Sequence, residues 1–128
     1  MKEKKVALFG VGGYGANYPY TIANPQREGV TLVGAVDPYC KNCDLCPVYD
    51  TAEELFANHQ PDLVVVSTPI HLHVEQAVTA FGHGCHVALE KPIAADMDGV
   101  KKILDARDKA GKLLSVASIC ARIRAFWK

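Results

Sequence analysis

The chain has 128 residues, with 14 basic and 14 acidic side chains and a formal net charge of zero. Hydrophobic residues make up 49% and charged residues 22%, values that speak against a disordered chain and against a nucleic-acid binder working through a basic surface. No apolar run approaches the ~20 residues that span a bilayer, so neither a membrane nor a nucleic acid is an expected partner. The basic start, Met1 to Lys5, leads only to Val6-Ala7-Leu8-Phe9 before glycines intervene, too short for a signal-peptide core. Taken in order, the apolar runs are Val6 to Phe9, Leu32 to Val36, Leu63 to Val66, Cys85 to Leu89 and Leu113 to Ala117. Each is short, rich in Val or Leu and without polar alternation, the pattern of strands covered on both faces.

Helix-length segments separate these runs. The stretch from Gly13 to Asn24 is helix-compatible, although Pro19 should kink it or shift its start. Thr51-Ala52-Glu53-Glu54 has capping-box spacing ahead of Leu55 and Phe56. Val74, Ala77, Val78 and Phe81 fall on one helical face. Val100, Ile103, Leu104 and Ala110 mark a last helix, with Asp96 as its N-cap and Gly111 as its stop. The order β-α-β-α-β-α-β-α-β implies right-handed crossovers and a doubly wound, mostly parallel sheet with helices on both faces. A chain of this size buries roughly two-thirds of its unfolded surface, enough for one core. The expected division is a nucleotide-binding domain over residues 1–118 and a tail over 119–128.

Gly10-Val11-Gly12-Gly13-Tyr14-Gly15 fits G-x-G-x-x-G directly after the first strand. Gly10 permits a tight turn, Gly12 lets the backbone approach a pyrophosphate, and Gly15 allows close packing of helix on strand. Free amides at the helix start favour the anion. Asp37 closes the second strand about twenty residues past the motif, where a carboxylate accepts hydrogen bonds from a ribose and repels a 2′-phosphate. The expected cofactor is therefore NAD, with NADP the alternative because Lys41 lies nearby. Asp37 also precedes Pro38, and forming that turn is a sufficient structural reason for it.

Two later segments sharpen this. Thr68-Pro69-Ile70-His71-Leu72-His73 follows the third run and Glu90-Lys91-Pro92 the fourth. Together with the glycine loop they resemble the Gfo/Idh/MocA family of NAD(P)-dependent oxidoreductases, which carries T-P-x-x-x-H and E-K-P signatures in this order. The resemblance covers residues 4–117 and implies a Rossmann domain with Gly10, Gly12, Gly13, Tyr14, Gly15, Asp37, Thr68, Pro69, His73, Glu90 and Lys91 around the cofactor. It makes Lys91 the catalytic residue, bonded to a substrate hydroxyl while hydride leaves carbon. A solvated lysine paired with Glu90 is the plainer account of Lys91. For His73 the plainer account is a helix-start residue satisfying backbone groups. The resemblance also implies a special peptide geometry before Pro92. Ile70 stands where the family usually has Asn.

Five cysteines, Cys40, Cys43, Cys46, Cys85 and Cys120, make an odd set with three crowded into one loop. This is unlike a secreted disulfide framework and predicts a reduced, cytoplasmic protein. The C-x2-C-x2-C spacing suits zinc or part of an iron–sulfur site but lacks a fourth ligand nearby. Redox chemistry and incidental loop thiols are the other readings, and no metal ligands are assigned. The resemblance implies a second α/β domain for substrate, which this chain lacks. Two functions follow: the NAD(P)-binding domain of an oxidoreductase acting on a sugar, polyol or related hydroxy compound, or a stand-alone NAD(H)-binding or redox-sensing module. Phe126 and Trp127 predict a homo-oligomer or packing against another domain.

Overall fold

The computed structural model describes residues 3–12, 16, 18–24, 29–41 and 43–116. The expectations for Gly13, Tyr14, Gly15, Cys120, Phe126, Trp127 and the tail lie outside the described residues. Six strands form one sheet: β1 (Lys4–Phe9), β2 (Val30–Val36), β3 (Val48–Tyr49), β4 (Leu63–Val66), β5 (His86–Leu89) and β6 (Leu114–Val116). Among the described residues four α-helices accompany them, α1 (Tyr18–Ile22), α2 (Ala52–Asn58), α3 (His73–Gly82) and α4 (Met97–Ala110), with a short 3-10 helix (Ile70–Leu72) ahead of α3. The strand order is β3-β2-β1-β4-β5-β6, and every ladder is parallel. The chain therefore winds outward from β1 in one direction, then returns beside it and winds outward in the other. The order reverses between β1 and β4, and ligands of open α/β sheets bind in the crevice beyond the carboxyl ends at that point.

Both faces of the sheet are apolar, as the unalternated runs require. Ala7, Phe9, Val36, Val64, Val66, Val87 and Leu89 point to one face and pack under Leu55 of α2, Ala77, Ala80 and Phe81 of α3, and Ile103 of α4. Val6, Leu8, Leu32, Ala35, Val65 and Ala88 point to the other, where Tyr18 and Ile22 of α1 cover them. The expected doubly wound sheet with helices on both faces is the observed fold.

Local signals set the helix ends. The Thr51 side chain accepts a hydrogen bond from the Glu54 N–H and starts α2. Asp96 does the same for Gly99 at the start of α4. Gly111 ends α4 in the left-handed conformation with φ of 65°, where a residue with a Cβ is disfavoured. Among the described residues α1 runs over Tyr18–Ile22, with Pro19 in its first turn, where a proline is tolerated. The sequence pattern does not show β3. Its two residues follow Pro47, too few for any periodicity, and they pair with Ala35 and Val36. No helix among the described residues is long and apolar enough to cross a membrane.

Candidate cofactor-binding site

A cleft of about 790 Å³ opens at the carboxyl edge where the strand order reverses. Gly10 and Gly12 line it beyond β1, Asp37 beyond β2, Thr68 and Pro69 beyond β4, and Glu90 and Lys91 beyond β5. Thus the four segments that the sequence singled out meet at one place, although they are far apart in the chain.

Gly10 turns the backbone with φ of 94°, and a Cβ there would lie 2.8 Å from the Ser67 carbonyl oxygen. Both facts exclude a side chain. Gly12 differs. The nearest protein atom to its would-be Cβ is Cys40 Cβ at 3.5 Å, an ordinary contact. The fold itself could therefore hold a small residue at Gly12, and the missing side chain leaves room on the cleft side. That bare backbone fits the close approach of a pyrophosphate.

Asp37 is held by the loops it joins. Its Oδ2 accepts the Val11 N–H at 3.0 Å, and its Oδ1 accepts those of Tyr39 at 2.9 Å and Cys40 at 3.0 Å. The Asp37 N–H in turn donates to the Tyr49 carbonyl at 2.9 Å. Burial pushes the carboxyl upward, but the backbone N–H groups of Val11, Tyr39, Cys40 and Gly12 outweigh it and hold the pKa below its ordinary value. A fixed negative charge therefore stands beside the glycine loop. The carboxylate is both a turn former and a wall of the cleft. Lys41 donates to the Asp37 carbonyl and pairs with Asp50, which takes its ammonium out of the cleft lining.

His73 is only 1% exposed. Its Nδ1 lies 2.9 Å from the Pro92 carbonyl oxygen and its Nε2 lies 2.8 Å from that of Thr68. The ring thus ties the segment after β4 to the segment after β5 and does not itself line the cleft. The Lys91–Pro92 peptide is cis. Glu90 accepts a hydrogen bond from the Tyr18 hydroxyl; among the described residues Lys91 makes no ion pair, and it is exposed at the cleft wall.

Eight lining residues lie outside the set that the sequence assigned to the cofactor, Ser67, Gln76, Tyr39 and His71 among them. Ser67 is buried and its hydroxyl reaches the Phe9 and Gly10 carbonyls at 3.2 and 3.0 Å, bracing the glycine turn from β4. Gln76 accepts from the Thr68 hydroxyl at 2.5 Å. It lies one helical turn past Leu72, another lining residue, and that spacing was the available signal. Tyr39 is 95% exposed at the rim, and His71 also faces the cleft. Among the described residues no group of three or more metal-donor side chains could hold a metal ion.

A parallel sheet in this order, with a glycine turn and a carboxylate at its switch point, defines a dinucleotide-binding α/β domain. Residues 4–118 match the model of the oxidoreductase family with an NAD-binding Rossmann fold, GFO_IDH_MocA, and the chain belongs to that family. It is 32% identical over 99 residues to the 2,7-anhydro-N-acetylneuraminate hydratase of Mediterraneibacter gnavus, covering 73% of this chain and 26% of that protein. It is 25% identical over 118 residues to the inositol 2-dehydrogenase of Paracoccus denitrificans, covering 86% and 35%. Among solved structures it resembles the WlbA dehydrogenase of Bordetella pertussis in complex with NADH and UDP-GlcNAcA. There the TM-score is 0.80 at 26% identity, with 90% of this chain and 35% of that one covered. The chain spans about a quarter to a third of the length of these relatives. Residues 4–118 are thus an NAD-binding Rossmann domain.

Proposed function

We propose that the chain is the NAD-binding part of an oxidoreductase that moves hydride between the nicotinamide and a sugar, polyol or related hydroxy compound. The observation that carries this reading is the meeting of Glu90 and Lys91 with the glycine loop and Thr68 on one cleft. The reading covers the cofactor side of the site and the contact of Lys91 to substrate, in keeping with the chain's share of its relatives' length. NAD, when bound, supplies the hydride acceptor.

Each residue then has a task. Gly10 and Gly12 shape the backbone around the pyrophosphate. The Asp37 charge accepts ribose hydroxyls and repels a 2′-phosphate, so NAD is favoured over NADP. Thr68 and Pro69 form the wall along the cofactor. Lys91 bonds the substrate hydroxyl and helps its proton leave, the positioned acid–base role that contributes typically 10²–10⁴-fold. His73 holds the Lys91–Pro92 segment against Thr68, so it acts on the site through the backbone. The free thiols of Cys40, Cys43, Cys46 and Cys85 suit a reducing, cytoplasmic setting.

The test is NAD-dependent turnover on a panel of cyclic polyols and sugars, with Lys91→Ala beside the parent. Loss of about 10²-fold or more in rate, with NAD affinity nearly kept, is expected. An unchanged rate would remove Lys91 from the reaction.

A further inference from the structure

The loop between Asp37 and β3 carries three thiols, and the structure divides them. The Sγ atoms of Cys43 and Cys46 are 3.7 Å apart in a thiol–thiol hydrogen bond. Cys40 turns elsewhere: its Cβ and Sγ lie 3.5 and 3.9 Å from the point where a side chain on Gly12 would begin, on the cleft wall. A zinc site would need several thiols converging on one point, and a pair with a separate single is a different arrangement. A disulfide needs its sulfurs at about 2.05 Å, which modest side-chain rotations can supply from the observed contact.

We propose that Cys43 and Cys46 are a reversible dithiol–disulfide site, oxidised by a low-molecular-weight disulfide, and that closing it tightens the adenosine end of the cleft. The Cys43 thiolate attacks one sulfur of the oxidant, forming a mixed disulfide and expelling one thiolate. Cys46 then loses its proton and attacks Cys43 Sγ. The Cys43–Cys46 bond forms, and the second thiolate leaves. One oxidant disulfide becomes two thiols while two protein thiols become one disulfide, so atoms and electrons balance.

Burial first, then the neighbouring Cys43 charge and hydrogen bond, push the Cys46 thiol up to about 12. Cys46 thus keeps its proton at the outset, and the first attack falls to Cys43. Once Cys43 is capped, the second and third of those causes disappear and Cys46 ionises more readily for the closing step.

The coupling to the cleft runs through backbone bonds. Pro47, next to Cys46, accepts the Ala35 N–H at 2.9 Å, and Tyr49 accepts that of Asp37. At the other end the Cys40 N–H donates to Asp37 Oδ1. Both ends of the thiol loop are therefore anchored at the Asp37 turn. A Cys43–Cys46 cross-link within the loop restricts it between those anchors, and lowers the ordering cost of binding.

The coupling rests on the reading that this cleft binds NAD, and the experiment separates the two. The chain is equilibrated in glutathione buffers of increasing oxidised fraction, alkylated and mapped by peptide mass spectrometry. Cys43 and Cys46 are expected to lose two hydrogens together while Cys40 and Cys85 remain alkylated. Pairing through Cys40, a mixed disulfide that never closes, or no oxidation would overturn the site. NAD is then titrated into reduced and oxidised chain and into Cys43→Ser and Cys46→Ser variants. Oxidation is expected to tighten binding about threefold or more in the parent and in neither variant, because Cys46→Ser stops at the mixed disulfide on Cys43 and Cys43→Ser cannot close the bond. Equal or weaker affinity on oxidation overturns the coupling. Absence of NAD binding by the reduced chain would instead overturn the cofactor reading, whatever the mass map shows.

Discussion

Burial raises the Asp37 carboxyl, yet the N–H groups of Val11, Tyr39, Cys40 and Gly12 together bring its pKa below the ordinary 3.8. The folded chain therefore binds this proton less readily than the unfolded chain. Its contribution to stability is complete above about pH 4, the unfolded value, and is lost as the pH falls through the lower folded value. Asp37→Ala leaves those N–H groups without their acceptor and is expected to cost about 1–3 kcal/mol in urea unfolding at pH 7. The deficit should shrink toward pH 3. A constant deficit across that range would mean that the charge contributes nothing. Gly10→Ala meets both a left-handed backbone and the Ser67 carbonyl. A loss of about 1–3 kcal/mol is expected in the same assay, whereas Gly12→Ala, with only ordinary contacts, should keep stability and lose NAD affinity. If Gly12→Ala bound NAD as the parent does, the pyrophosphate would not lie against that glycine.

Element ends show where sequence reading succeeds. Thr51, Asp96 and Gly111 act at the positions their chemistry prescribes, because a cap is a local contact that one short segment encodes. Replacing Asp96 with Ala should lower stability by about 1 kcal/mol, read as a shift of the urea midpoint at unchanged slope. Strand β3 had no local signal, since its two residues are a strand only through pairing with β2. One contact at the far edge responds to pH. His86 Nδ1 accepts the Leu113 N–H at 3.0 Å, which an unprotonated nitrogen alone can do. Burial first, then Lys112, lower the His86 pKa below its ordinary 6.5, with Asp62 opposing and Lys4 assisting. A lowered folded value means that this contribution is present above pH 6.5 and is lost as the pH falls through the lower folded value. Hydrogen exchange at the Leu113 amide should accelerate in that acid window beyond the intrinsic rate, and should lose that extra dependence in His86→Ala.

At the level of the whole molecule, the fold was legible because five apolar runs without alternation admit few sheets other than a covered parallel one. The site was legible in its backbone parts and motifs: the glycine turn, the acid after β2 and the two segments after β4 and β5. Ser67 and Gln76 were not, because each matters through a partner that only folding brings near. The placement of His73 between two carbonyls was open in the sequence for the same reason. All of these features converge on one claim, that the carboxyl edge at the switch point is built for NAD. Calorimetric titration of the chain with NAD and with NADP, at fixed salt and pH 7, tests it most directly. The account predicts one equivalent of NAD bound, NADP bound more weakly, and the difference diminished in Asp37→Asn. Absence of NAD binding, or NADP bound as tightly as NAD by the parent chain, would contradict it.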